Sequence, residues 1–171
     1  MSQSMIDGVQ INSSLWLHAA ENVVRRECGW HIAPSITETI HLNGTGTPLL
    51  HLPTLHLTSL TSLTIDGREA LADADWSESG LVELRRGVFP DRFRSIRVTM
   101  THGFELSEVP DVIALIMTLA RRGASQPTVA SQSVNGASAS YFTAGGAPLS
   151  IPLLRSEKDL LAPYRIERRI V

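Results

Sequence analysis

The sequence predicts an α+β fold: two main helices plus a short C-terminal one around an inserted antiparallel β meander, with a flexible loop and tails. Three observations carry this. Apolar residues recur at helical spacing at Leu15, Trp16, Ala19, Ala20, Val23 and Val24, and they crowd residues 112–120 so densely that only Thr118 is polar. Between these stretches, residues 36–42 and 94–102 alternate apolar and polar side chains as half-buried strands do. Turn signals such as Asn43-Gly44, Asp66-Gly67 and Ser79-Gly80 punctuate the strand-like runs.

The first helix is expected from a cap at Asn12, Ser13 or Ser14 to about Glu27, with His18, Asn22 and Arg25 on its polar face. Arg25 and Arg26 in its last turn complement the carbonyl end of the helix dipole. It stops at Cys28-Gly29-Trp30-His31-Ile32-Ala33-Pro34. Gly29 supplies the positive φ of a helix terminus, Pro34 keeps Ala33 out of the helical region, and Trp30 offers a large apolar surface to lock the outgoing strand onto the helix.

Ile36, Ile40 and Leu42 then share a strand face, and residues 49–52 read as the returning strand across Asn43-Gly44-Thr45-Gly46. In residues 55–66, Leu57, Leu60 and Leu63 fit neither a two-residue nor a helical period; with Thr and Ser in the gaps, a bulged strand is predicted. Residues 71–76 and 81–86 form a further hairpin about Ser77-Glu78-Ser79-Gly80, and Ile96, Val98 and Met100 line one face of the next strand. The second helix begins near Pro110, flanked by Glu108 and Asp111, and ends at Arg121-Arg122-Gly123. Its apolar circumference calls for burial on nearly all sides, by the chain's own sheet or by a neighbouring subunit, which marks Val112, Ile113, Leu115, Ile116, Met117 and Leu119 as candidate subunit-interface residues. A Ser, Ala and Gly-rich stretch follows, then a short helix over 157–161 capped by Ser156, Pro163 and an extended tail. The expected organisation is an N-terminal arm at 1–11, a core domain at 12–123, a flexible hairpin or loop at 124–148, and a C-terminal short helix with tail at 149–171.

Composition narrows the function. The chain has 171 residues, 43% of them hydrophobic, enough for one domain with its own core. A net charge of −2 excludes a general basic field for nucleic acid. The single cysteine, Cys28, excludes an intrachain disulfide framework and a multi-cysteine zinc site, and is expected to be buried. Residues 1–11 lack a secretory pattern, and the run at 112–120 is about half of a membrane span, so a soluble protein without a membrane partner is expected.

Catalytic signals are weak. No Gly-x-Ser-x-Gly, phosphate-binding glycine loop or dinucleotide fingerprint occurs. His51 and His56 lack common zinc spacing, and Asp73 with Asp75 reads as solvated charge. No catalytic, metal or cofactor residue is assigned, and a metal-dependent hydrolase rimmed by His51 and His56 stands only as the alternative, beside a monomeric interaction module. Arg85, Arg86, Arg92, Arg94 and Arg97 cluster around Phe89-Pro90, either as phosphate contacts or as a solvated basic patch. The tail Tyr164, Arg165, Ile166, Arg168, Arg169 and Ile170 is apolar and basic, suited to adding itself to a sheet edge in another chain, or else is an ordinary frayed terminus.

The ordered series Ala19-Ala20, Val23-Val24-Arg25-Arg26, Cys28 to Pro34, Thr37-Glu38-Thr39, a Leu-Pro before the run from Leu55 to Gly67, Trp76-Ser77-Glu78-Ser79-Gly80, Thr101-His102-Gly103-Phe104, Glu108-Val109-Pro110 and Leu161-Ala162-Pro163-Tyr164-Arg165 resembles head-to-tail adaptor (connector) proteins of tailed double-stranded DNA phages. The specificity lies in the order of the motifs. The resemblance implies a non-enzymatic virion protein without cofactors, forming a ring, commonly of twelve subunits, below the portal. It implies the portal and a stopper or tail-completion protein as partners, double-stranded DNA passing through the channel, and a place in the virion neck after assembly in the host cytoplasm. On this reading the tail residues are portal or partner contacts, and Arg92, Arg94 and Arg97 are candidate channel contacts. It also implies a helical core with an inserted strand-rich portion.

Overall fold

Ala20, Val24 and Cys28, spaced four apart, are the buried stripe of helix α1 (Ser13–Cys28). Seven strands follow: β1 (Ile36–Leu42), β2 (Leu49–His51), β3 (Leu57–Ile65), β4 (Arg68–Glu69), β5 (Ala74–Trp76), β6 (Leu81–Leu84) and β7 (Ile96–His102). Helix α2 (Pro110–Ala124), the short strands β8 (Ser131–Val134), β9 (Ala137–Ser140), β10 (Thr143–Ala144) and β11 (Ala147–Pro148), and helix α3 (Arg155–Leu161) complete the α+β fold. This is a computed structural model, and it describes residues 13–125, 131–134, 137–140, 143–144, 147–148 and 152–166. The expected arm at 1–11 and the tail residues Arg168, Arg169 and Ile170 lie outside the described residues. Two compact units divide the chain, one of residues 1–27 with 111–161 and one of residues 28–110 with 162–171.

In the first unit, Val112, Leu115, Leu119 and Gly123 form the buried face of α2. An ion pair between Arg122 of α2 and Glu157 of α3 joins those helices, and Lys158 Nζ lies 3.9 Å from Glu27 Oε2 of α1. Helix α3 starts one residue before the expected cap: the Leu154 N–H donates to Glu157 Oε2 at 2.8 Å, so Glu157 rather than Ser156 closes its first turn. Where a hairpin or loop is predicted at 124–148, β8 pairs with β9 and β10 with β11, both antiparallel.

The second unit holds two antiparallel sheets, ordered β1-β7-β3-β4 and β2-β6-β5. Leu50, Leu57, Leu60, Leu63, Val82, Leu84, Phe89, Ile96, Val98 and Met100, drawn from both sheets and the loop before β7, share one hydrophobic core. The predicted bulged strand is β3, whose partners on β7 run Leu57↔His102, Leu60↔Met100 and Leu63↔Val98. Register shifts at Leu57/Ser59 and Leu60/Ser62 let β3 advance three residues for each two on β7, so all three leucines face the core. The hairpin about Ser77–Gly80 is also present, as β5 against β6.

One pairing differs from expectation. Residues 49–52 do not return along 36–42; β1 pairs with β7, from Ile36↔His102 to Leu42↔Ile96, while β2 pairs with β6. The glycine-rich connection is used for close backbone approach instead of a hairpin. Gly44 N–H donates to Arg92 O at 3.0 Å, Gly46 N–H to Phe89 O at 2.9 Å, and Phe89 N–H to Thr47 O at 2.9 Å. A Cβ at Gly44 would sit 1.7 Å from Pro90 O, so no other residue fits.

Replacing Gly44 with Ala is therefore expected to lower the denaturation midpoint by roughly 5–10 °C through overpacking against backbone. Gly67→Ala, with no atom within 4 Å but a φ of +80°, is expected to cost only about 1–2 kcal/mol of backbone preference. Thermal denaturation of both variants checks the difference.

Candidate functional site

The junction after α1 builds a polar and aromatic cluster in the second unit. Gly29, at φ +82°, ends the helix, and a cis Ala33–Pro34 bond follows. Trp30 is 5% exposed; its Nε1–H donates to Tyr164 O at 2.6 Å, and its ring packs near His102 and Phe104. It thus ties the end of β7 to the C-terminal segment. Ile32 sits at φ +66°, a left-handed conformation that costs a β-branched residue about 1–3 kcal/mol, which burial of its side chain offsets with about 1.5–3 kcal/mol. Gly103, at φ +101°, lets the chain pass close to Pro34 O and Ile32 O, which would lie 2.9 and 3.1 Å from a Cβ.

His102 is 1% exposed, and its Nε2–H donates to Glu38 Oε1 at 3.0 Å. Its Nδ1 has no hydrogen-bond partner among the described residues. His31 Nε2–H donates to Pro34 O at 2.6 Å, and His56 stacks on Phe104 with centroids 4.2 Å apart. His51 is exposed on β2. Among the described residues no group of three His, Cys, Asp or Glu side chains converges as metal ligands, and no helix is long and apolar enough to cross a membrane.

The candidate surface residues separate. On α2, Val112, Leu115 and Leu119 are buried in the chain, whereas Ile113 and Ile116 are half-buried and Met117 is 48% exposed. The expectation of an apolar helix covered on nearly all sides is therefore narrowed to one covered face and one open one: Met117 lies opposite the stripe at 112, 115 and 119, with Ile113 and Ile116 half-covered between them. In the tail, Tyr164 is half-buried edge-on to Phe104, and Ile166 N–H donates to Cys28 O at 2.9 Å. That stretch packs on its own unit instead of hanging free.

The arginine cluster is divided too. Arg85 Nε donates to Asp75 Oδ2 at 2.8 Å, and this hydrogen bond holds the Asp75 carboxyl below its ordinary value. Arg92 pairs with Asp66 at 2.6 Å. Among the described residues, Arg86, Arg94 and Arg97 form no ion pair. Between Arg92 and Arg94 stands Phe93, 89% exposed, which the sequence reading passed over. Its signal was an aromatic residue between two arginines, four residues after the inward-facing Phe89.

Two solved structures share this architecture. The neck of an empty GTA (gene transfer agent, phage-like) particle computed with C6 symmetry matches with a TM-score of 0.59 and 14% identity, over 92% of this chain and 79% of that one. The neck of a native GTA particle computed with C12 symmetry matches with a TM-score of 0.57 and 13% identity, over 96% and 87%. The fold is that of a particle-neck chain. No family model and no curated protein matches the sequence. Strands β1–β7 fall in the second unit, and α2, α3 and the short strands β8–β11 in the first.

The first unit also carries a pH-sensitive contact. Burial opposes ionisation of Glu157, but Arg122 and the Leu154 N–H together outweigh it and hold the carboxyl below the ordinary glutamate value. Arg122 Nη1 also donates to Pro152 O at 3.1 Å. Since the folded carboxyl ionises at lower pH than the unfolded one, the pair's contribution is complete above the unfolded value of about 4.3 and disappears as pH falls through the folded value. Glu157→Gln is expected to cost about 1–3 kcal/mol at pH 7 and to flatten the loss of stability between pH 5 and 3, as measured by urea unfolding across pH.

Proposed function

We propose that this chain is a non-enzymatic head-to-tail adaptor: a ring, of twelve subunits, that sits below the portal in a virion neck. It joins the DNA-filled capsid to the tail through a stopper or tail-completion protein, and the genome passes through its channel. The observation that carries this reading is the likeness to neck chains over 92% and 96% of the sequence, from particles computed with C6 and C12 symmetry. The ordered motif series of an adaptor supports it independently, as does the interruption of a helical unit by a strand-rich one.

The physical features suit such a part. A cyclic ring requires two different surfaces on each subunit that meet head to tail. The open side of α2, with Met117 exposed and Ile113 and Ile116 half-buried beside it, offers an apolar surface left over after the chain's own core is filled. A net charge of −2 lets DNA slide past without a strong grip.

Mass photometry of the purified protein, alone and with the portal of the same virus, followed by negative-stain imaging, tests the proposal. Rings or a density capping the portal are expected; a persistent monomer that ignores the portal overturns it. Met117→Asp is expected to raise the concentration needed for assembly about tenfold while leaving the denaturation midpoint unchanged, since an exposed side chain is altered.

A further inference from the structure

Charge along the second unit changes sign across β7. Residues 85–97 carry five arginines, Arg85, Arg86, Arg92, Arg94 and Arg97, against one acid of their own, Asp91; Arg85 and Arg92 are paired with Asp75 and Asp66, which leaves Arg86, Arg94 and Arg97 outside ion pairs among the described residues. Residues 98–110 carry Glu105 and Glu108 and neither Lys nor Arg. Each end also displays an uncovered apolar side chain. Before β7, Phe93 is 89% exposed between Arg92 and Arg94; after it, Leu106 is 53% exposed between Glu105 and Glu108. The seven residues of β7 separate the two by roughly 20 Å, so one chain cannot join its own ends.

Both ends are held rigidly. Arg94 sits at φ +53° with its N–H donating to Asn43 Oδ1 at 2.9 Å, Arg92 O accepts from Gly44 N–H, and Ser95 Oγ–H donates to Arg92 O at 3.1 Å. Buried Phe89 anchors the base of the loop. At the other end, Glu108 Oε2 accepts from Glu105 N–H at 2.7 Å, closing a capping box that fixes Leu106 outward. A pre-ordered loop that holds an aromatic ring in water gains apolar burial, at little further ordering cost, when a partner covers the ring. An aromatic side chain flanked by arginines is also the composition of an interface centre.

We infer that the Arg92-Phe93-Arg94 tip of one copy docks on the Glu105-Leu106-Glu108 end of the next, making the second unit a head-to-tail contact between copies of this chain. Arg94 at the tip is opposite in charge to Glu105 and Glu108, Phe93 and Leu106 supply the apolar centres, and the two patches differ from each other, which is the condition for a heterologous contact that propagates around a ring. The inference rests on the adaptor reading and deepens it by naming a surface. A second copy suits the tip better than duplex DNA, because Phe93 finds no exposed ring face in a stacked helix and, with Arg92 paired to Asp66, the tip keeps Arg94 as its one arginine outside an ion pair among the described residues, too little charge to grip a phosphate backbone.

The test uses the full chain, alone and on the portal. Phe93→Ala and Leu106→Ala are each expected to raise the concentration for ring assembly about tenfold with unchanged denaturation midpoints. Arg94→Gln, and Glu105→Gln with Glu108→Gln, which keeps the capping oxygens, are expected to weaken assembly and reduce its dependence on salt. Cys28 is buried, so F93C and L106C in one chain report on the contact directly. Mild oxidation is expected to give a ladder of cross-linked copies, and F93C alone is expected to give none. Rings that tolerate Phe93→Ala and show no ladder overturn this contact while leaving the ring intact. So does weakened capture of portal or duplex DNA by these variants with ring assembly unchanged. Dimers from F93C alone overturn the head-to-tail geometry, and no assembly with or without portal overturns the ring reading as well.

Discussion

Strand β7 presents Ile96, Val98, Met100 and His102 on one face, and β3 beside it keeps Leu57, Leu60 and Leu63 on that same side only by taking three residues for each two, a mismatch on which the second unit depends. A regular β3 would turn Leu60 to the side opposite Leu57 and Leu63. With about 1.5–3 kcal/mol for each fully buried leucine, exposing even one would remove a large share of a domain's net stability. Two bulges avoid this, and they add local twist where the sheet shares a core with β2, β5 and β6.

The pairing of β7 with both β1 and β3 also sets what lies at its two ends. At one end the connections 43–47 and 89–95 interlock through backbone hydrogen bonds, and glycine is required where Pro90 O comes close to Gly44. At the other, Gly103 lets the chain pass Ile32 and Pro34, so that Trp30, His102, Phe104 and Tyr164 share one cluster. Charged and apolar side chains that the core does not use are left at these ends and on the open side of α2. A protein whose proposed role is to be held by neighbours needs such rigid, uncovered features more than it needs a pocket.

The sequence was informative about surfaces in proportion to how local their causes are. The arginine cluster was visible, but its division into Arg85 and Arg92, which are paired, and Arg86, Arg94 and Arg97, which form no ion pair among the described residues, depends on Asp75 of β5 and Asp66 of the turn after β3 being brought alongside. The open side of α2 was hidden by the helix's uniform hydrophobicity, which carries no phase from which to read the covered face. The tail read as a free apolar-basic strand because its partners, Trp30 and Cys28, are more than a hundred residues away.

Periodicity, turn residues and caps determined by themselves the α+β class, the limits of α1 and α2, the inward face of β7, the hairpin of β5 with β6 and the existence of bulges in β3, because each of these is a local backbone preference or a repeat within one element. The tertiary structure alone decided that β1 pairs with β7 instead of β2, which β3 residues form the bulges, and which apolar side chains remain uncovered. Those outcomes follow from non-local hydrogen bonding and core filling: the glycines at 44 and 46 permit a tight turn and a close crossing equally well, and only the approach of Phe89 and Pro90 from a distant part of the chain selects between them.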